Sequence, residues 1–360
     1  MKLSLRPLSE QVMVITGASS GIGLVTARMA AREGVGALVL AARNEDALST
    51  LTDEIRAAGG KAVYVVADVG EESDVQRIAD TAISEFGRFD TWVNNAGVSI
   101  FGNIMDVSTE DFRRVFDTVF WGVAYGSRAA VAHFRTREPG TAGALINVGS
   151  FFGDRATPVQ STYGSAKFAV HGFTEALRME AAHEGIPASI TLVHPGRIDT
   201  PYNEHAHSYQ EQQPAHRGMI YPPEAVAEGI LYAATHPKRD VYVGAQAKLL
   251  VLIANIAPRV VDRVMQHYQY WSQRADRPSR SREDSALYKP GHGLQERGTQ
   301  AGHVRSGSYY VKATTHPAYT ALACLGVAAG GAGAAAAAGR RRLTHSAGIG
   351  RPRTAVKPVS

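Results

Sequence analysis

The chain has 360 residues, 44% of them hydrophobic, enough for one large domain with its own core plus an appendage. A single cysteine, Cys324, excludes an intramolecular disulfide framework and fits a reducing, cytoplasmic setting; with Ala323 and Leu325 beside it and no base, it is not expected to act as a nucleophile. The net charge of +5 is unevenly placed: residues 272–360 carry 14 basic and 4 acidic side chains, whereas residues 1–271 carry 24 and 29. The basic character belongs to the tail, and nothing in the body suggests nucleic-acid binding. Residues 1–14 contain no apolar run of signal-peptide length.

Residues 11–16 (QVMVIT) are an apolar, β-branched run that predicts a buried strand. Gly17-Ala18-Ser19-Ser20-Gly21-Ile22-Gly23 follows at once, and apolar residues from Leu24 to Ala31 continue as a helix. A glycine-rich turn between strand and helix lets backbone amides approach a pyrophosphate at the helix N-terminus. The spacing is G-x-x-x-G-x-G, and the plain alternative is a structural loop. A second strand over 35–41 runs into Ala42-Arg43. An acidic residue there would hold the ribose 2′-hydroxyl of NAD, whereas an Arg suits a 2′-phosphate, so NADP(H) is favoured over NAD(H). The alternative is that Arg43 is a solvated surface residue.

The alternation continues with a polar helix over 44–58, a strand over 62–67 ending at Asp68-Val69, a helix over 71–86, and a strand over 91–93 ending in Asn94-Asn95-Ala96-Gly97. Asp68 is in place to bond an adenine amino group or to cap the next helix. Small and amide residues at a strand end let cofactor and backbone come close. A long helix over 109–135 leads to a strand over 144–148, ending in Gly149-Ser150. A helix over 161–182, a strand over 188–193 ending in His194-Pro195-Gly196, a helix over 224–235 and a short strand over 241–243 complete the pattern. It predicts a Rossmann-type, doubly wound parallel sheet in three α/β/α layers over residues 1–248. Ligands in such sheets bind outside the strand C-termini, where Gly17, Asp68, Asn94, Ser150 and Pro195 all fall.

Tyr163 and Lys167 are four apart on the 161–182 helix and so share a face. An ammonium beside a phenol would lower its pKa from about 10 and let it exchange a proton with a carbonyl or alcohol oxygen near neutral pH. Ser150 could hydrogen-bond the same oxygen. Alone, Y-x-x-x-K is a chance pattern on many helices; the strand-end convergence gives it weight.

These residues fall in TGASSGIG (16–23), ADV (67–69), NNAG (94–97), NVGS (147–150), YGSAK (163–167) and HPGRIDT (194–200). On these motifs, residues 8–245 resemble the short-chain dehydrogenase/reductase family. The resemblance implies an oxidoreductase that interconverts a ketone or aldehyde and an alcohol, acts on a small-molecule substrate and forms a homo-oligomer. It implies Tyr163 as acid/base, Ser150 polarising the substrate oxygen, and Lys167 holding the nicotinamide ribose and tuning Tyr163. Cofactor contacts are implied for Gly17, Ser19, Ser20, Gly21, Ile22, Gly23, Arg43, Asp68, Val69, Asn94, Ala96, Gly97, Pro195, Gly196, Ile198 and Thr200, with no metal. One residue departs from the pattern. Val119 stands where many members carry an Asn, three residues before Gly122, that anchors a water relay to the Lys. Val has no side-chain donor or acceptor, so Thr118, backbone groups or a water would substitute. The departure keeps a second reading open: a low-turnover cofactor-binding scaffold or redox-sensing interaction protein.

The polar stretch 197–220 lies where the family carries a substrate lid; its Glu204, His205, His207 and His216 would hold zinc only with matching ligands, and none flank them. Residues 249–271 predict an amphipathic helix broken or kinked at Pro258, with Val260, Val261, Val264 and Tyr268 as one stripe packing on the body or a dimer partner, or else serving a membrane surface or the substrate gate. Residues 272–316 read as a flexible linker. Residues 317–339, rich in Ala and Gly and followed by Arg340-Arg341-Arg342, have the length and basic flank of a membrane anchor but the weak hydrophobicity of a low-complexity tail; residues 340–360 form a basic tail able to meet anionic lipid.

Overall fold

Apolar β-branched runs separated by amphipathic helices pair into one parallel sheet. The computed structural model describes residues 3–137, 141–244, 253–254, 256–299 and 303–315. In chain order its main elements are β1 (Val12–Thr16), α1 (Gly21–Arg32), β2 (Ala37–Ala42), α2 (Glu45–Ala57), β3 (Ala62–Val66), α3 (Glu72–Phe86), β4 (Thr91–Asn94), β5 (Ile100–Phe101), α4 (Thr109–Phe116) and α5 (Gly122–Arg135). There follow β6 (Gly143–Val148), α6 (Ser161–His183), β7 (Ala188–Pro195), α7 (Tyr202–His205), β8 (His207–Ser208), β9 (Gln212–Pro214), α8 (Pro223–Thr235) and β10 (Asp240–Val243), then a helix over Pro258–Ser272 and β11 (Arg274–Pro278).

The main sheet has the order β10-β7-β6-β4-β1-β2-β3, with all neighbours parallel. The chain leaves β1 towards β2 and β3, then returns to β4 on the other side. This reversal opens a crevice at the C-terminal ends of β1 and β4. Every residue of β1, β2, β4 and β6 is buried, as expected for strands covered on both faces. Period-two alternation sends Met13 and Ile15 into one core with Leu24, Leu38, Leu40 and Val226. Val12 and Val14 enter the other core, with Val39, Phe89, Trp92 and Phe134.

Three expectations change. The long helix over 109–135 is interrupted by a π turn at Asp117–Trp121, which holds Val119 fully buried. At Pro258 the outcome is the break and not the kink: a helix starts there, at a position where the missing N–H costs nothing. The predicted stripe there splits into two adjacent rows: Val261 and Met265 are buried, whereas Val260, Val264 and Tyr268 are exposed. The largest change concerns the predicted linker. β11 pairs antiparallel with β9 inside the predicted lid, and the chain beyond it lies on the body as far as Thr299. Local composition gave no core to this segment because its partners are distant in sequence.

Residues 1–311 form one compact unit and 312–360 a second. The proposed anchor at 317–339 and the basic tail lie outside the described residues. Among the described residues, no helix is long and apolar enough to cross a membrane.

Candidate active site

A cavity of about 610 Å³ runs along the C-terminal ends of β1, β2, β4, β6 and β7. Its floor is the turn between β1 and α1. Gly17 has φ +68°, and a Cβ there would lie 2.8 Å from Ala96 Cα, so the turn presses on the β4 end with no room for a side chain. Ser20 precedes α1 without a side-chain cap, which leaves the helix N-terminus to ligands and backbone. These features fit a dinucleotide: a backbone cradle, a helix N-terminus for its pyrophosphate and a long cleft for its two halves.

Of the residues implied by the motifs, Gly17, Ser19, Ser20, Gly21, Ile22, Arg43, Asp68, Val69, Ala96, Gly97, Ser150, Tyr163, Lys167, Pro195, Gly196, Ile198 and Thr200 line the cavity. Gly23 and Asn94 do not. A Cβ on Gly23 would fall 2.2 Å from Gly17 O, so this glycine packs the helix against its own turn. Asn94 is buried and its amide is fully engaged: Nδ2 donates to Asn147 Oδ1 (2.9 Å) and Oδ1 accepts from Trp92 Nε1 (2.7 Å). It ties β4 to β6, and Asn95 takes its place on the cavity wall.

Tyr163 and Lys167 project from α6 into the far end of the cavity. Tyr163 hydrogen-bonds Ser150 and Tyr202. Phe152 N–H donates to Ser150 Oγ at 3.1 Å, fixing the hydroxyl. The expectation that Lys167 lowers the Tyr163 pKa is not met. Burial pushes the phenol up to about 12, against the partial pull of Ser150 and Tyr202. Lys167 Nζ lies 5.6 Å from the Tyr163 ring centroid and donates to Val148 O at 2.7 Å. Burial lowers its own pKa to about 7, so the same desolvation that raises the phenol also discharges the amine.

Tyr202 was not singled out by the sequence. Its ring meets that of Tyr163 edge-on at 5.5 Å, and its hydroxyl donates to Ser99 Oγ at 2.8 Å. The only signal for it is its place just after HPGRIDT. Val119 packs with Val98, Val115, Ala166 and Leu287. Beside it, Thr118 Oγ1 is buried without a hydrogen-bond partner, and Thr118 lines the cavity. In the 197–220 stretch Glu204 accepts from Thr299 N–H and His207 bonds Ser285 and Asp111, whereas His205 and His216 line the cavity.

The remaining wall comes from the segment after β11. Leu294 N–H donates to Ser19 O and Gly21 N–H donates to Gln295 O, both at 2.8 Å, beside the glycine-rich turn. Arg43 donates to the carbonyls of Ala286 and Leu287, and Asn44 Nδ2 donates to Gly291 O. Asp68 accepts from Arg114 and from Gly70 N–H, and these bonds hold its carboxyl below the usual range against burial. Leu287 is fully buried, and ion pairs of Arg28 with Glu296 (2.8 Å) and Arg297 with Glu224 (2.6 Å) clip the far end. The segment is a strap across the end of the cavity that Arg43 and Asn44 line.

A doubly wound sheet, a glycine-lined dinucleotide cleft and a Tyr/Lys helix at its end define a class, the nicotinamide-dependent oxidoreductases. The family model described as short chain dehydrogenase matches residues 11–211. The oxidoreductase YxnA of Bacillus subtilis (strain 168) is 62% identical over 329 residues, 91% of this chain and 92% of its own length, a match long enough to include the strap. A short-chain dehydrogenase/reductase of Burkholderia phymatum solved with NAD is 27% identical with a TM-score of 0.64, covering 71% of this chain and 96% of that one. An alcohol dehydrogenase of Thermococcus sibiricus solved with 5-hydroxy-NADP is 25% identical with a TM-score of 0.56, covering 65% and 95%. The chain belongs to the short-chain dehydrogenase family and is an oxidoreductase.

Proposed function

We propose that the chain is an NADP(H)-dependent enzyme that interconverts a ketone or aldehyde with an alcohol. The observation that carries this reading is the Tyr163 hydroxyl, hydrogen-bonded to Ser150 and held above Lys167, inside the same cavity as the glycine-rich turn. Gly17 to Ile22 would hold the pyrophosphate, Asp68 and Val69 the adenosine, and Pro195 to Thr200 the nicotinamide. A nicotinamide held there would supply the hydride. Ser150 orients the substrate oxygen, and Tyr163 gives that oxygen a proton during reduction or removes one during oxidation. Lys167 would bond the ribose hydroxyls, and Thr118 Oγ1 supplies the polar group that Val119 lacks.

Preference for the 2′-phosphate rests on Arg43 in place of an acid at the end of β2. The strap engages two of its five N–H groups and orients the guanidinium, which also stands 3.9 Å from Asp68 Oδ2, so a 2′-phosphate would share it with that carboxylate. Phe151, Phe152, Met219, Val264 and Met265 line the cavity beyond Tyr163 and favour an apolar carbonyl substrate. NADPH oxidation measured against a panel of apolar ketones and aldehydes, with Tyr163→Phe as control, tests the assignment. Turnover undiminished in that variant would overturn it. The scaffold reading gains if Val119→Asn turns over substrates on which the parent is inert.

A further inference from the structure

We propose that His171 is a positioning residue that fixes the turn carrying Ser150 to the helix carrying Tyr163, with Asp154 and His194 setting its tautomer. The consequence for turnover rests on the acid/base reading of Tyr163 and Ser150; the tie itself does not. On α6, Tyr163, Lys167 and His171 follow at intervals of four and share one face. All three meet the end of β6. Tyr163 hydrogen-bonds Ser150, Lys167 Nζ donates to Val148 O, and Ser150 N–H donates to His171 Nε2 at 3.3 Å. The backbone is shaped around that nitrogen: a Cβ on Gly149 or Gly153 would come within 2.4 and 2.5 Å of it.

Donor counting assigns the protons. Because Nε2 accepts from Ser150, the His171 proton sits on Nδ1 and is donated to Asp154 Oδ1 at 3.1 Å. The second Asp154 oxygen faces His194 Nδ1 at 2.8 Å, and His194 Nε2 faces Asp240 Oδ1 at 3.3 Å. An imidazole between two carboxylates satisfies both only when doubly protonated; these carboxylates raise the His194 pKa against burial, while Asp154 is lowered to about 2. Asp240 is balanced by Arg178 and Arg239, Tyr242 stacks on His194, and the Lys167 amine, positive only below its lowered pKa of about 7, stands on the α6 side of His171. The chain from Ser150 to Asp240 therefore closes with every nitrogen paired. Asp154, His171 and His194 are close enough to suggest a cation site, with ligand atoms within 4.8 Å of one another. A metal on His171 Nδ1 would force the proton onto Nε2, donor against the Ser150 donor, and so disfavours that role.

The same opposition gives the tie its pH response. Protonating His171 turns Nε2 into a donor facing an N–H and releases the turn. Burial, His194 and Lys167 lower its pKa, so the tie holds through the ordinary imidazole range and fails only in more acid solution.

The test uses the full chain as wild type, His171→Gln and His171→Leu. Gln can accept from Ser150 and donate to Asp154 but cannot titrate in this range. Hydrogen-exchange protection of a peptide spanning 149–154 reports the tie, and NADPH oxidation over a pH series reports its consequence. His171→Leu is expected to lose about tenfold or more in protection and in kcat at neutral pH, with KM for NADPH little changed. His171→Gln is expected to keep most of both and to lack the acid loss of protection seen in wild type. Unchanged protection in His171→Leu, or the same acid loss in His171→Gln, would overturn the proposal. If no substrate is turned over by wild type, the assignment of activity fails, while the exchange measurement still decides the tie.

Discussion

Two backbone segments converge on the end of the cleft nearest the glycine-rich turn, and they differ in how they are held. The turn over residues 16–23 approaches through glycines, at places where a Cβ would strike Ala96 or Gly17. The strap, residues 285–299, approaches mainly through main-chain carbonyls and amides, engaging Arg43, Asn44, Ser19 and Gly21, with one tight glycine contact where Gly293 meets Ala47. A close approach that needs a missing side chain leaves a trace in the sequence. One made by peptide groups leaves almost none, because every residue carries them. The two segments meet at the glycine-rich turn: Leu294 N–H donates to Ser19 O and Gly21 N–H donates to Gln295 O.

Tyr163→Phe bears on the motif side of this contrast and carries the largest expected effect. Loss of the phenolic proton should lower kcat by about 10²- to 10⁴-fold with nucleotide binding retained, read by turnover and by equilibrium titration with NADPH. The strap is broken most directly at Gly293, where a Cβ would lie 2.3 Å from the Ala47 Cβ. Gly293→Val should lift the segment and speed NADPH dissociation by about tenfold or more, equivalent to one or two lost hydrogen bonds. Fluorescence-monitored displacement of NADPH measures this, and an unchanged off-rate would show that the strap does not gate the site. Arg43 belongs to both sides, since it lines the cavity and holds the strap. Arg43→Ala should reduce the preference for NADPH over NADH by about tenfold and also raise both off-rates, as comparative titrations of the two nucleotides would show.

The smallest effect sharpens the comparison at the far end of the cleft. The Lys167 pKa is about 7 in the folded chain against 10.5 for the free side chain. Between these values the unfolded chain binds more protons, so raising the pH through this window stabilises the cofactor-free fold, and lowering it withdraws that gain. Lys167→Met should remove this slope, by a few kcal/mol at most. Urea melts of both proteins from neutral to alkaline pH measure it, and parallel slopes would contradict the buried, discharged amine.

Much of the site was legible before any tertiary contact was known. Strand ends are marked by composition, so Gly17, Asp68, Ser150 and Pro195 could be placed on one edge of the sheet from alternation alone. The i, i+4 spacing put Tyr163 and Lys167 on one face. Two assigned residues do not line the cavity because of local packing: Gly23 packs α1 on its own turn, and Asn94 turns inward to bond Asn147 while Asn95 meets the cavity. No periodicity distinguishes two adjacent Asn residues at a strand end. The sense of the Tyr163 pKa shift was also out of reach, because it depends on how much water the cavity excludes and on Lys167 reaching Val148 O.

By itself the sequence determined the alternation of strands and helices, the glycine-rich turn, the shared face of Tyr163 and Lys167, and the missing Asn at Val119. Each is a local property, set by side-chain period or by the absence of a Cβ. Only the tertiary structure decided that the stretch after residue 272 is a strap, that Tyr202 stands against Tyr163, and that His171 reaches back to Ser150. These contacts join residues far apart in the chain, or on separate elements, through groups common to many residues, and only the folded chain brings the partners together.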